Sequence, residues 1–161
     1  MQAGFKVVLT RTNDTFIPLG ERTRIANQYT NALFIAVHFN SGGAGTGLET
    51  YTLAPRGVPS MMADGPRVSD LEQCTGNAHD AENMALATAT HAAMVVKSKL
   101  FDRGIKRARF VVIRDIAIPG VLVEGGFQTN MNDARIIAMP DRKSTRLNSS
   151  HPRLSRMPSS A

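Results

Sequence analysis

A chain of 161 residues is long enough for one domain with a real core and too short to expect two. The formal charge of +6 would ordinarily suggest nucleic acid or an anionic surface. However, residues 141–161 hold five Lys or Arg against one acid, which leaves residues 1–140 at only +2 and without a nucleic-acid motif. No apolar run approaches the roughly 20 residues of a membrane helix, so membrane insertion is not expected. Cys74 is the single cysteine, which excludes an intrachain disulfide and a thiolate metal cluster. Any metal must then be held by His and carboxylate.

The opening residues 1–10 lack the long apolar stretch and small-residue cleavage site of a signal peptide. Gly4-Phe5 followed by Lys6-Val7-Val8-Leu9-Thr10 reads as the end of a helix turning into a strand. Pro18 and Leu19 open a helix through about Tyr29, with Leu19, Arg22 and Ala26 at helical spacing. Leu33 to Asn40 is an unbroken apolar run ending in an imidazole and an amide. It reads as a strand covered on both faces, as in a parallel sheet flanked by helices. The period of two sends His38 and Asn40 to one side.

A glycine-rich loop, 41–47, precedes a strand over Leu48 to Leu53. Residues 54–78, rich in Pro and Gly, read as an excursion suited to one wall of a substrate groove. Asp80 is expected to cap a helix reaching about Leu100, with Ala85, Ala89, Ala92, Val96 and Leu100 as its apolar stripe. Asp102-Arg103-Gly104 suggests a turn and residues 108–114 a strand. Pro119-Gly120 leads into a strand over Val121 to Glu124, closed by Gly125-Gly126, and Asn132 is placed to cap a last helix, Asp133 to Met139. Strands alternating with helices imply an α/β fold with a mostly parallel twisted sheet.

From Asp141 the periodicity stops. Residues 141–151 and 155–161 resemble the in-frame translation of a sequencing-adapter oligonucleotide. Residues 141–161 are therefore expected to be an artefactual disordered tail appended to a domain over 1–140, and His151 carries no functional weight.

A hydrolytic zinc site needs about three protein ligands, an open position for water and a nearby base. His38, at the carboxyl end of a strand, suits a ligand. Glu124, also ending a strand and followed by two glycines that leave room, suits the base. A lone strand-end histidine is more often structural than a ligand, and the residues alone leave both readings open. Asn40 fits a hydrogen bond beside the metal or substrate as well as it fits simple strand capping.

Several segments occur in order: Leu9-Thr10-Arg11 with Asp14, Leu19 with Arg22 and Ala26-Asn27, and Phe34 to Asn40. They continue with Gly47 and Glu49-Thr50-Tyr51, Asn83 with Leu86-Ala87, Arg103-Gly104-Ile105-Lys106, and Val123 to Phe127 with Asn130. Over about residues 4–139 the series resembles the zinc-dependent N-acetylmuramoyl-L-alanine amidases, bacterial cell-wall hydrolases. The resemblance implies Zn2+ as cofactor with His38 as a ligand, and Glu124 as the catalytic acid/base. It implies peptidoglycan as the partner and a periplasmic or extracellular parent. The bond cut would join the lactyl group of muramic acid to L-alanine.

The family's other two zinc ligands lie on a first strand and the helix after it, ahead of the segment matching Gly4 to Arg11. The fold is accordingly expected to be incomplete, lacking its first strand and most of its first helix, and the chain inactive as it stands. The competing reading is a non-catalytic peptidoglycan-binding module of the same fold, which would have no need of a base at Glu124. Arg11 and Arg22 are expected to anchor buried carboxylates. Glu49 is not read as a ligand, His79 is expected to be solvated, His91 structural or at the surface, and Cys74 inert. Oligomeric state is not legible.

Overall fold

The computed structural model describes residues 4–139. Eight elements follow in order: α1 (Leu19–Ala26), β1 (Phe34–Asn40), β2 (Leu48–Leu53), α2 (Asp80–Ser98), β3 (Asp102–Ala108), α3 (Val111–Arg114), β4 (Gly120–Phe127) and α4 (Met131–Ala138). The four strands form one sheet in the order β1-β4-β2-β3. β1 pairs with β4 and β2 with β3 in parallel, while β2 and β4 run antiparallel. The expected α/β fold with a mostly parallel sheet flanked by helices is the fold observed. The expected tail, residues 141–161, lies outside the described residues.

Alternation along the strands builds two different faces. On one, Tyr51 and Leu122 pack with Ala108, Val112 and Ile113, joined by Leu19, Phe34, Ala36 and Phe110. On the other, Val121 and Val123 pack on Ala87 of α2, with Leu86, Met94 and Ile105 around them. The α1 and α3 layer therefore covers one face and α2 the other.

Several expectations shift in position. The run from Leu33 to Asn40 is not covered on both faces: β1 lies at the sheet edge, half-buried, with Ile35 43% exposed. β4 takes the interior place, with Gly120 to Val123 all buried. Lys6 to Thr10 forms no strand; among the described residues it has no ladder partner, and Phe5, Val7, Val8 and Leu9 are exposed.

The turn expected at Asp102-Arg103-Gly104 is instead the start of β3. Gly104 (φ 80°) lies where the register with β2 shifts between Leu48 and Thr50, a bulge rather than a chain reversal. The β-branched run after Ala108 then makes a single helical turn, which turns Val112 and Ile113 into the core.

α2 also buries a different stripe. Ala85, Ala89, Ala92 and Val96 face outward, while Asn83, Ala87, His91 and Ser98 face the sheet. Buried polar groups decide the rotation. Asn83 donates to the Gly76 carbonyl and accepts from Gly120 N, and His91 bonds Thr50 and Asp102. Left unmade, such bonds would each cost more than an exposed alanine. Asp80 sits in the first turn, paired with Arg107, rather than at the cap. At α4 the cap is Asn130, whose side chain accepts from Asn132 N and Asp133 N.

Candidate active site

The register of three strands places His38, Glu124 and Glu49 side by side. His38 is the partner of Glu124 across β1 and β4, and Glu124 the partner of Glu49 across β4 and β2. Paired residues point to the same side of a sheet, so all three project from the face that carries Phe34, Ala36, Leu122 and Tyr51. They stand at the carboxyl ends of β1 and β4. Immediately beyond, the register slips so that Asn40 meets Phe127. Gly125 and Gly126 together fill the space opposite Phe39, and Gly126 takes φ 123°. A bulge at this position re-aims the chain after Glu124. The two glycines thus serve backbone geometry at the site.

Glu49 is almost wholly buried, at 2% exposure. It accepts from Asn40 Nδ2 (3.1 Å), the Tyr51 hydroxyl (2.7 Å) and Arg103 Nε (2.8 Å), and it pairs with Lys106. Burial opposes its charge, but hydrogen bonds from Lys106, Arg103 and Tyr51 outweigh that and hold the carboxyl at about 2. Burial and the neighbouring carboxylate of Glu49 in turn push the Tyr51 hydroxyl well above its ordinary range.

Glu124 is the opposite case. Its Oε2 is buried with no hydrogen-bond partner among the described residues. Burial first, and then the negative charge of Glu49, push its carboxyl up to about 8. His38 is shifted downward, by burial and then by the charges of Arg22 and Arg11, so it favours the neutral imidazole with a lone pair to offer. Arg22 does not anchor a buried carboxylate as expected: its Nε donates to the Ile17 carbonyl (2.9 Å). Arg11 approaches Asp14 at 3.9 Å and donates to the Thr15 carbonyl (3.3 Å).

The excursion reaches this site from one side. Met62 Sδ lies 3.6 Å from the Tyr51 hydroxyl. Arg109 ties the segment down through Asp70 Oδ1 (3.0 Å) and the carbonyls of Pro55 and Asp70. The glycine loop is fixed from the other side. Asp133 accepts from Thr46 Oγ1 (2.7 Å), Gly47 N (2.8 Å) and Phe127 N (2.9 Å). Neither Glu49 nor Asp133 stands out as a site residue in the sequence; a lone charge in a strand whose other residues are Leu, Thr and Tyr is the one available signal for the first. His79 bonds the Ala117 carbonyl (3.1 Å), and Cys74 Sγ rests 3.7 Å from Arg109.

Catalytic zinc takes about three protein ligands. A neutral imidazole and an unpartnered buried carboxylate oxygen are of the right chemistry, but the described residues contain no group of three or more His, Cys, Asp or Glu able to hold a metal. Glu49 is committed to its cations. The described residues therefore do not by themselves complete a zinc site.

A mostly parallel α/β sheet brings a buried acid and an imidazole into register at its strand ends, the place where ligands gather in such sheets. The profile of the N-acetylmuramoyl-L-alanine amidase family matches residues 1–149, and the chain belongs to that family. It is 30% identical over 131 residues to a sporulation-specific N-acetylmuramoyl-L-alanine amidase of Bacillus subtilis, covering 81% of this chain and 42% of that protein. It is 31% identical to the N-acetylmuramoyl-L-alanine amidase AmiA of Salmonella typhimurium, covering 83% and 54%. The chain thus spans about half the length, or less, of these relatives. Among solved structures, the catalytic domain of the amidase CwlV from Bacillus (Paenibacillus) polymyxa superposes with a TM-score of 0.64 at 30% identity, covering 84% of this chain and 63% of that one.

Proposed function

We propose that this domain hydrolyses the amide bond between the lactyl group of N-acetylmuramic acid and L-alanine in peptidoglycan, with Glu124 as the group that moves the proton. Family membership supports the bond class. The observation that carries the assignment is the orphaned, buried Oε2 of Glu124, in register with His38. An amide leaves as an amine and needs a proton. A carboxyl raised to about 8 holds one at neutral pH, and its Oε2 has no hydrogen-bond partner among the described residues. Burial first, and then the charges of Arg22 and Arg11, favour the neutral form of His38, which leaves its lone pair available to a cation. Asn40, bonded to Glu49, steadies the neighbouring carboxylate from β1.

The proposal extends to zinc, with His38 as one ligand and the remainder from outside the described residues. When bound, zinc would supply a polarised water or carbonyl. It extends also to a periplasmic or extracellular setting, where peptidoglycan lies. No helix of the described residues is long and apolar enough to cross a membrane. In a protein carrying these residues with a complete ligand set, Glu124→Gln is expected to lower the release of alanine-terminated stem peptides about 10²–10⁴-fold. Release that persists in that variant would remove Glu124 from the mechanism.

The lack of a three-ligand group among the described residues favours a second reading, a wall-binding module that keeps the fold but not the metal. On that reading the protein binds peptidoglycan without zinc, releases nothing, and keeps its binding in Glu124→Gln.

A further inference from the structure

α2 ends in a corner where apolar and cationic side chains stand together in water. Val96 and Phe101 are 81% and 66% exposed, and Lys97 and Lys99 between them are exposed too, while Ser98 and Leu100 are buried. Lys99 produces this alternation. It caps the helix at φ 57°, the one positive φ at a non-glycine among the described residues. That reversal carries Leu100 inward and leaves the ammonium outside, beside the negative end of the helix.

α4 borders the same corner. Leu100 and Ile137 of α4 both pack on Gly126. Asp133, in the first turn of α4, holds Gly47, where the Phe101 carbonyl leaves no room for a Cβ. On its outward stripe α4 presents Met131, 72% exposed, and one turn later the exposed Arg135. Lys97, Lys99 and Arg135 have no hydrogen bond or ion pair among the described residues. The nearby acids are already engaged. Asp133 is buried on Thr46, Gly47 and Phe127, and Asp102 bonds His91 and accepts from Gly104 N. Three positive charges therefore stand uncompensated around three exposed apolar side chains.

We propose that this corner, formed by residues 96–101 and the outer stripe of α4, docks on a membrane surface of anionic lipid. The apolar side chains enter between headgroups whose charge the three cations meet. A soluble anionic polymer would satisfy the cations but offer nothing to Val96, Phe101 and Met131, whereas a bilayer boundary takes both. The contact is peripheral, since no helix of the described residues is long and apolar enough to cross a membrane. β3 begins in this corner, parallel to β2, which runs antiparallel to β4. The docked face thus adjoins the end of the sheet that carries His38 and Glu124. The inference stands apart from the amidase reading and needs no metal.

The chain contains no tryptophan, so Phe101→Trp makes fluorescence a report on that one position. Its emission is expected to shift to the blue on vesicles of mixed phosphatidylglycerol and phosphatidylcholine, and not on phosphatidylcholine alone. Replacing Lys97, Lys99 and Arg135 by glutamine in that background should weaken the response about fivefold per charge at low salt. Val68→Trp is the control. Val68 is 85% exposed and follows the opposite end of β2, so its emission should not move. The basic residues 141–161 are common to all these chains, and attachment through them would shift neither emission.

An unshifted emission at position 101, in a chain that cosediments with the anionic vesicles, would overturn the docking face. Equal shifts at positions 101 and 68 would mean general adsorption and overturn it as well. Charge-dependent binding of soluble poly(glycerol phosphate), without a shift on vesicles, would give the corner to a polymer instead. Should Phe101→Trp not fold, cosedimentation of Phe101→Ser decides. Its binding to anionic vesicles is expected to fall most at raised salt, where the apolar contribution is the part left unscreened, and binding equal to that of the unaltered chain would sink the proposal.

Discussion

The two halves of the polar row make an instructive contrast. On β2 and β3, Glu49 is surrounded by donors from Asn40, Tyr51, Arg103 and Lys106 and stays ionised to about pH 2. One strand away on β4, Glu124 is buried with a bare Oε2 and holds its proton to about pH 8. Burial acts on both. Partners separate them, and the charge secured at Glu49 is itself one cause of the proton retained at Glu124. A fixed anion and a proton-bearing acid, adjacent on one face, are the pairing that acid–base chemistry draws on.

Removing the anion should break the contrast most severely. Glu49→Ala leaves Arg103 and Lys106 facing each other without a counter-charge, and breaking a buried pair from one side costs about 3–5 kcal/mol. Urea titration would show the loss as a lower midpoint at unchanged slope.

The next largest effect is a pH slope. The folded Glu124 carboxyl binds its proton more tightly than the unfolded one, so stability should fall as pH rises from about 4.5 toward about 8. Each unit of displacement counts about 1.4 kcal/mol. Glu124→Gln should flatten that slope in melts recorded across the window. Glu49 contributes with the opposite sign, its stabilisation being lost as pH falls from about 4.5 toward about 2. A wild-type profile that is flat between pH 5 and pH 8 would show that Glu124 is solvated after all.

The far face of the sheet supplies a smaller effect and a control. His91, unlike His38, uses both ring nitrogens, bonding Thr50 Oγ1 (3.0 Å) and Asp102 Oδ1 (2.8 Å). His91→Phe leaves the buried Thr50 hydroxyl unpaired and should cost about 1–3 kcal/mol. Adding Thr50→Val should recover much of that, because both partners are then apolar. The Glu124 slope should persist in both variants, since α2 packs on the opposite face.

The fold class was legible because apolar runs of strand length alternate with helical spacing, and because Pro and Gly mark the joints. The pairing of His38 with Glu124 was legible too, both being polar residues ending apolar strands that favour a common edge. What escaped needed information no local pattern carries. Glu49 joins the row only through the antiparallel register of β2 with β4, which the residues of β2 do not encode. The apolar stripe of α2 pointed to the wrong side because the buried needs of Asn83 and His91 lie in other elements. Arg22 was matched to a carboxylate by charge alone, whereas folding brings its charge within reach of an imidazole. Gly104 read as a turn because a positive φ suits a bulge equally well.

The smallest effect tests how local the site's support is. Asn130 Oδ1 accepts from Asn132 N (3.0 Å) and Asp133 N (3.2 Å), and the second of these holds the residue that grips Thr46, Gly47 and Phe127. Asn130→Ala should cost about 1 kcal/mol as a lost N-cap. By loosening Asp133 it should also raise amide exchange at Gly47 and Phe127, both of which donate to that carboxylate. Asn132 has a side chain of the same chemistry two residues on but is not the cap, and Asn132→Ala should stay within about 0.5 kcal/mol. If the two alanine variants proved equal in both stability and exchange, the glycine loop beside Glu124 would owe its position to something other than the α4 terminus.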